Sequence, residues 1–331
     1  MVEPVNNDLH ALADRVNEAE SRIRGHIRET YLEFSPALSR LSGGSVYCKL
    51  ENLQYSGSFK LRGAFNKILS LSAADRKRGI VTSSSGNHGA GVAYALGTLG
   101  QAGTVFVPTN VSPGKARNIE QLGGTLTYYG TDVVDTDAEA FRQAERDGMT
   151  FISPYNDIEV VAGQGTIAVE LERQIDDLDA VFVAVGGGGL ISGIATYLKA
   201  TRPEVQIVGC AAENSAVMMR SVQAGRILDL SSSATLSDGT AGGVEDGAVT
   251  FELCTSFVDH WVDVSENEIA DAMTFFLSEH RMAIEGAAGV AIAAYRKSCQ
   301  RYAGKRVAII VCGGNIELEK LQKVLAGDFT S

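Results

Sequence analysis

Four consecutive glycines, Gly186 to Gly189, separate the apolar run Val181-Phe182-Val183-Ala184-Val185 from a helical pattern that starts at Leu190 and Ile191. Backbone without side chains lets an anion come close, and the free N–H groups of a helix N-terminus point at it. Strand, glycine loop and helix together therefore form a phosphate cradle. A tight turn alone needs positive φ at fewer positions than a run of four glycines supplies. Two nucleotide patterns fail here. Gly-x-Gly-x-x-Gly counted from Gly186 or Gly187 ends on Ile191 or Ser192, and the loop runs into Ser192-Gly193-Ile194 where a P-loop needs Gly-Lys-Ser/Thr. A phosphate is wanted without the ribose and magnesium machinery of a nucleotide.

Lys60 is the candidate nucleophile. It follows the turn-forming Ser56-Gly57-Ser58 and sits between Phe59 and Leu61. An apolar setting removes solvation from an ammonium group, lowers its pKa and frees the amine to attack an aldehyde. Lysines are usually solvated surface charges, so the assignment rests on the neighbouring motifs. Ser84-Ser85-Gly86-Asn87-His88 leads into a helical pattern and suits either an N-cap turn or an anion-binding loop. Cys312, followed by Gly313-Gly314-Asn315, ends the apolar run Val307 to Val311, where a thiol is either core filler or a site residue.

Other chemistries find little support. His10, His26, His260 and His280 lack ligand spacing, and His280-Arg281-Met282-Ala283-Ile284-Glu285 is not the His-Glu-x-x-His of a zinc hydrolase. Cys48, Cys210, Cys254, Cys299 and Cys312 show neither Cys-x-x-Cys nor close pairing. No zinc site or disulfide framework is expected, and a reducing compartment, the cytoplasm, fits. A net charge of −11 with pI near 5.0 disfavours nucleic acid and anionic membranes as partners, because both need a basic face. With 331 residues, 45% hydrophobic and 21% charged, the chain is long enough for two lobes around a large core and points to a small ligand. Glu3, Asp8, Asp14, Glu18 and Glu20 leave no basic segment ahead of an apolar one, so no secretion signal is expected. The uncharged span Ala180 to Leu198 has the length of a membrane helix, but its glycines make a continuous helix costly.

The elements that must position these groups alternate. Leu9, Leu12, Val16 and Ile23 give helical spacing to the segment Asn7 to Arg28. From residue 46 short apolar runs alternate with helical patterns, the mark of βαβ units in a mostly parallel sheet. Strands are expected at Val46 to Leu50, Gly79 to Thr82, Thr104 to Val107 and Thr125 to Tyr129, with helices at Arg62 to Leu71, His88 to Leu99 and Pro113 to Leu122. A second series places strands at Val181 to Val185, Gln206 to Ala211 and Val307 to Val311. Its helices fall at Gln164 to Gln174, Ile191 to Ala200 and Glu266 to Ser278. No low-complexity linker or fixed repeat is present, so the two lobes must interleave along the chain.

Five motifs now stand in one order: Ser56-Gly57-Ser58-Phe59-Lys60-Leu61-Arg62-Gly63-Ala64, Ser84-Ser85-Gly86-Asn87-His88-Gly89, Ala162-Gly163-Gln164-Gly165-Thr166, Gly186 to Leu190, and Cys312-Gly313-Gly314-Asn315. In that order and rough spacing the chain resembles fold-type II pyridoxal phosphate enzymes, specifically the threonine/serine dehydratase and serine racemase branch, over about residues 25 to 325. The resemblance implies an α/β, two-lobed fold like the tryptophan synthase β-subunit, with parallel-rich twisted sheets flanked by helices. Residues 1–80 and 156–331 would form the large cofactor-binding domain and 81–155 a small inserted one.

Carried over by position, the resemblance implies that Lys60 forms the Schiff base with pyridoxal 5′-phosphate, with Phe59 beside the ring and Asn87 on the phenolic oxygen. Gly186, Gly187, Gly188, Gly189 and Leu190 would hold the phosphate, Cys312 would face the pyridine nitrogen, and Glu285 would lie near the ring. Ser84, Ser85, Gly86, Asn87 and His88 would bind the substrate carboxylate through backbone N–H groups and the Ser84 hydroxyl. The implied reaction is β-elimination from L-threonine or L-serine: Lys60, freed by the substrate amine, removes the α-proton, the β-hydroxyl leaves, and a 2-oxo acid and ammonia follow. A neutral thiol at Cys312 keeps the ring a weak electron sink and favours elimination. Ser85 is a second candidate catalytic residue, because a serine there reprotonates the opposite face of the α-carbon in the racemase-like branch. An amino-acid (serine) racemase therefore stays open, as does a dehydratase for hydroxyaspartate or a phenylserine. Leu236-Ser237-Asp238-Gly239-Thr240-Ala241 looks more like the dehydratases. Where relatives bind a divalent metal with two acids, Glu213 is kept but Met219 replaces the second, so no complete metal site is expected. The resemblance also implies a homodimer and a role in amino-acid catabolism. The chain ends about 15 residues after Asn315, so the regulatory domain of long biosynthetic dehydratases is not expected.

Overall fold

The computed structural model describes residues 9 to 328. Its strands are β1 (Leu32–Phe34), β2 (Ser45–Leu50), β3 (Ile80–Ser83), β4 (Gly103–Val107), β5 (Leu126–Tyr128), β6 (Thr150–Phe151), β7 (Ala180–Ala184), β8 (Gln206–Ala212), β9 (His260–Val264) and β10 (Arg306–Val311). They make one sheet in the order β1-β2-β10-β7-β8-β9 and another in the order β5-β4-β3-β6. All pairings are parallel except that of β1 with β2. The chain leaves the larger sheet after β2, builds the smaller one from β3 to β6, and returns at β7.

Parallel pairing follows from burial on both faces. β7 and the stretch Val307 to Val311 of β10 are buried throughout, and continuous apolar runs of this kind belong where helices cover both sides of a sheet. The main core packs β7, β8 and β10 against the helices Gly189–Thr201 and Gly286–Ser298. Small separate cores around Val81, Phe106, Ala140 and Ala144, and around Ala93, Val105, Val107 and Ile119, cover the two sides of the smaller sheet.

Strand order already gathers the chemistry. β2, β10 and β7 are neighbours and run parallel, so the residues after their C-terminal ends emerge side by side. Those segments carry Lys60, Cys312 and the four glycines, and the C-terminal edge of a parallel sheet is where such folds place ligands.

The helix Ile158–Gln174 joins these pieces. Asp157 caps it by accepting hydrogen bonds from the N–H groups of Glu159 (2.8 Å) and Val160 (3.3 Å). A Cβ at Gly163 would stand 2.6 Å from the Cα of Gly63, and one at Gly165 would stand 2.8 Å from the carbonyl oxygen of Gly193. Gly63 lies on the helix that begins at Lys60 and Gly193 on the helix that follows the glycine loop. The Ala162-Gly-Gln-Gly-Thr166 motif is thus a packing joint that seats both helices at backbone contact.

Several elements differ from expectation. The first helix runs Leu9–Ile23, ending before Gly25, and Asn7 and Asp8 lie outside the described residues. The helix expected from Gln164 starts at Ile158, because packing outweighs the low helix propensity of its two glycines. Ala180 to Leu198 divides into β7, the glycine loop and a helix, and no helix among the described residues is long and apolar enough to cross a membrane.

Candidate active site

Lys60 opens the helix Lys60–Ser70, and its Nζ donates a 2.7 Å hydrogen bond to the carbonyl oxygen of Pro154. The residue is partly buried, and loss of solvent around the ammonium lowers its pKa to about 8, against weaker support from Cys312 and Glu285. Phe59 is buried beside it with its ring centroid 5.3 Å from Nζ, and the Phe59 N–H donates to the Cys312 carbonyl at 3.0 Å. That bond ties the lysine turn to the end of β10. Burial pushes the Cys312 thiol well above its usual range, and the nearby Glu285 adds to the effect, so it stays neutral.

Asn87, Glu285 and Asn315 form a continuous hydrogen-bonded group. Asn87 Nδ2 donates to both carboxylate oxygens of Glu285 at 2.7 and 2.9 Å, while Asn315 Nδ2 donates to Asn87 Oδ1 at 2.7 Å and to the Ser56 carbonyl at 2.8 Å. The Asn315 N–H adds a bond to Glu285 at 3.2 Å. Burial raises the Glu285 carboxyl to about 7; the Asn87 bonds oppose that rise, and Asp238 adds to it. The group joins the end of β10, the lysine turn and the Ser84 loop.

The Ser84 loop follows β3 and ends as the N-terminus of the helix Asn87–Leu99, with Gly86 at the cap. Ser84 Oγ accepts a hydrogen bond from the Gly86 N–H at 3.1 Å, and Ser84, Ser85 and Asn87 are partly open to solvent. His88 points its side chain elsewhere: it is buried, its Nε2 lies 3.0 Å from the Ile152 carbonyl, and burial lowers its pKa to about 3. Only its backbone belongs to the loop.

At the glycine loop, Gly188 adopts φ +87° and caps the helix Gly189–Thr201, whose first-turn amides have no carbonyl one turn back. A Cβ at Gly187 would run into the ring of Tyr155, and one at Gly186 would stand 2.8 Å from the Cα of Thr240. Tyr155 directly follows the carbonyl that receives Lys60. Tyr155 was not singled out from sequence, since position 155 lies between recognisable motifs and carries no pattern of its own; Thr240 stood only within the dehydratase-like stretch Leu236 to Ala241, with no role assigned to it.

Beneath Lys60 lies a fully buried ionic cluster. Arg62 donates to Glu51 at 2.7 and 2.8 Å and to Glu170 at 2.8 and 2.9 Å, and Lys49 pairs with Glu170 and donates to the Thr30 carbonyl. Burial opposes ionisation of Glu170, yet Arg62 and Lys49 outweigh it and hold the carboxylate below its usual range. The cluster clamps the lysine helix to β2 and the helix Ile158–Gln174.

Glu213 lies exposed with its carboxylate 3.6 Å from Lys297, and Met219 is half-buried beyond it.

These residues fit pyridoxal phosphate. A lysine amine is held close to neutrality, helix-start amides follow a loop that tolerates only glycine at Gly187, and a neutral thiol and a buried carboxyl lie on the adjoining strand end and helix start. Comparison agrees. Residues 23–313 match the family described as pyridoxal-phosphate dependent enzyme. L-threonine ammonia-lyase of Thermotoga maritima is 40% identical over 310 residues, covering 94% of this chain and 77% of that one. L-threo-3-hydroxyaspartate ammonia-lyase of a Pseudomonas species is 37% identical over 312 residues, covering 94% and 98%. The structure of the processed form of threonine deaminase isoform 2 from Solanum lycopersicum superposes with a TM-score of 0.93 at 33% identity, covering 98% of this chain and 89% of that one. On fold, motif order and identity, this chain belongs to the pyridoxal-phosphate dependent enzyme family.

Proposed function

We propose that the chain is an ammonia-lyase that dehydrates and deaminates a β-hydroxy amino acid such as L-threonine or L-serine to a 2-oxo acid and ammonia. The observation that carries this is one lysine amine, brought to a pKa of about 8, set between the Cys312 strand end and the Tyr155-covered glycine loop. In this reading Lys60 holds the cofactor covalently, the amides of Gly186 to Leu190 take its phosphate, and Asn87 takes its phenolic oxygen. Phe59 and Glu285 border the ring, and Cys312 faces its nitrogen. When bound, the cofactor supplies an electron sink for the substrate α-carbon.

The chain's own groups then divide the work. The Ser84 hydroxyl and backbone N–H groups of the following residues fix the substrate carboxylate at a helix N-terminus, where an anion is favoured. Lys60, as a neutral amine, accepts the α-proton. The neutral Cys312 thiol would not keep a proton on the ring nitrogen, which favours loss of the β-hydroxyl over return of the α-proton; the hydroxyl leaves as water by taking up one proton, which balances the one that Lys60 accepts. Ser85 stands in the same loop as the group that would return a proton to the opposite face, making racemisation a side reaction.

The smaller sheet with its helices, residues 81–155, forms the small lobe of this reading, and 1–80 with 156–331 the large one. We place the enzyme in the cytoplasm as a homodimer: its five free thiols support a reducing compartment, and the dimer rests on the resemblance alone. The test is direct: 2-oxo acid release from L-threonine and L-serine, measured beside D-serine formation. Oxo acid as the main product is expected; D-serine as the main product, or no oxo acid from any β-hydroxy amino acid, would overturn the lyase assignment.

A further inference from the structure

The glycine loop is held from two sides, and on the second side the contact comes from a residue outside the five motifs. On the first side the Tyr155 ring covers Gly187. On the second stands the helix Val249–Phe257, which packs against the helix Gly189–Thr201 through Cys254, whose Sγ lies 3.7 Å from Ser192 Oγ. Thr250, fully buried in the first turn of that helix, donates a 2.7 Å hydrogen bond from Oγ1 to the carbonyl oxygen of Gly187. A Cβ at Gly188 would stand 3.1 Å from Thr250 Cβ, 3.1 Å from Cys254 Sγ and 3.0 Å from Met218 Cε. Asn156 seats the helix, its Oδ1 accepting from the Val249 N–H at 3.0 Å, so the segment that receives Lys60 at Pro154 also fixes the position of Thr250.

A trans peptide points its C=O and N–H in opposite directions, so the bond to the Gly187 oxygen turns the Gly188 N–H away from the helix Val249–Phe257. The peptide between Gly187 and Gly188 has glycine on both sides, and Gly188 sits at φ +87°. Glycine passes readily between positive and negative φ, so little in the loop itself prevents this peptide from flipping and exchanging the two groups. A flipped peptide presents a carbonyl oxygen, with its partial negative charge, where an N–H stood, and repels the anion that the unflipped one binds. We propose that Thr250 is the positioning residue of the phosphate cradle, its hydroxyl selecting the peptide orientation that offers the Gly188 N–H to the phosphate. The proposal rests on the reading that Gly186 to Leu190 take the cofactor phosphate, and it adds the side chain that prepares them for it.

Equilibrium titration of cofactor-free protein with pyridoxal 5′-phosphate, and with pyridoxal, which has the aldehyde but no phosphate, isolates the loop. The absorbance of the lysine-bound form reports both. Thr250→Val removes the hydroxyl at nearly constant shape and should weaken pyridoxal phosphate binding by roughly five- to tenfold, the order of one lost hydrogen bond, while pyridoxal affinity stays within about twofold. Thr250→Ser keeps a hydroxyl and should bind the phosphate ester within roughly threefold of the wild type. A merely structural role would weaken both ligands alike. Equal losses for the two ligands, no loss in the valine variant, or a serine variant as weak as the valine one would overturn the inference. Thr250→Ala repeats the comparison if the valine variant does not fold. A wild type that binds pyridoxal phosphate no more tightly than pyridoxal would overturn the phosphate reading of the loop and the inference with it. A wild type and a valine variant that favour the phosphate ester by the same factor would leave that reading standing and remove only the role of Thr250.

Discussion

Lys60 Nζ rests 2.7 Å from the carbonyl oxygen of Pro154, joining two residues 94 positions apart in the chain. The next residue, Tyr155, covers the glycine loop, so a single short segment touches both the lysine and the phosphate cradle.

Replacing that lysine is expected to remove both the covalent cofactor and the reaction. Lys60→Ala should lose the visible band of lysine-bound pyridoxal phosphate and at least about 10³-fold in kcat, since nucleophile and base are the same group. Borohydride treatment of loaded wild-type protein should tag position 60, as peptide mass mapping would reveal; a tag elsewhere would contradict the assignment.

The lowered pKa has a pH consequence. Only the neutral amine attacks an aldehyde, so the rate of cofactor attachment to cofactor-free protein should climb with pH and level off above about 8. An ordinary lysine, which titrates near 10.5, would still be climbing there. Stopped-flow absorbance between mildly acidic and alkaline pH distinguishes the two.

Gly187→Ala tests why the loop is glycine. The added Cβ meets the Tyr155 ring, so cofactor affinity should fall by roughly tenfold or more, as when close packing is breached by one methyl group. Combining it with Tyr155→Ala opens that space and should recover part of the loss in an equilibrium titration. No recovery would mean that the methyl group acts on the phosphate alone.

The buried cluster predicts a large stability effect. Arg62→Met leaves Glu51 and Glu170 without their shared partner in a fully buried setting, and should cost about 3–5 kcal/mol of unfolding free energy by chemical denaturation. Arg40→Met, on an exposed pair with Glu279, should cost under about 1 kcal/mol.

Glu285 should make the cofactor-free protein pH-sensitive. Its carboxyl is raised from 4.5 to about 7, so its folded-state contribution is complete below about 4.5 and is lost as pH rises through 7. The loss is of order 3 kcal/mol at about 1.4 kcal/mol per unit. Glu285→Gln should flatten the stability profile across that window; an unchanged slope in denaturant titrations would show that another group titrates there.

Legibility differed from element to element. Strands β7, β8 and β10 were readable because burial on both faces leaves nearly unbroken apolar runs, and the helix Lys60–Ser70 because its apolar residues repeat at helical spacing. The helix Gly286–Ser298 was not expected: it is buried on nearly all sides and rich in alanine, so no polar face marks its period. The helix Val133–Asp147 hides for the opposite reason, since its buried positions, Thr136, Ala140 and Ala144, are small and barely apolar.

By itself the sequence determined the chemical parts: a lysine in apolar company, a run of glycines ahead of a helix, a serine-glycine-asparagine turn and a thiol at a strand end. These are local properties, set by residue type and by neighbours a few positions away. Only the tertiary structure decided that β2, β10 and β7 stand side by side, that Asn87 meets Glu285, that Tyr155 covers Gly187, and that His88 turns into the core. Such contacts depend on strand order and on which helices touch at glycine, and those follow from packing the whole chain rather than from any one segment of it.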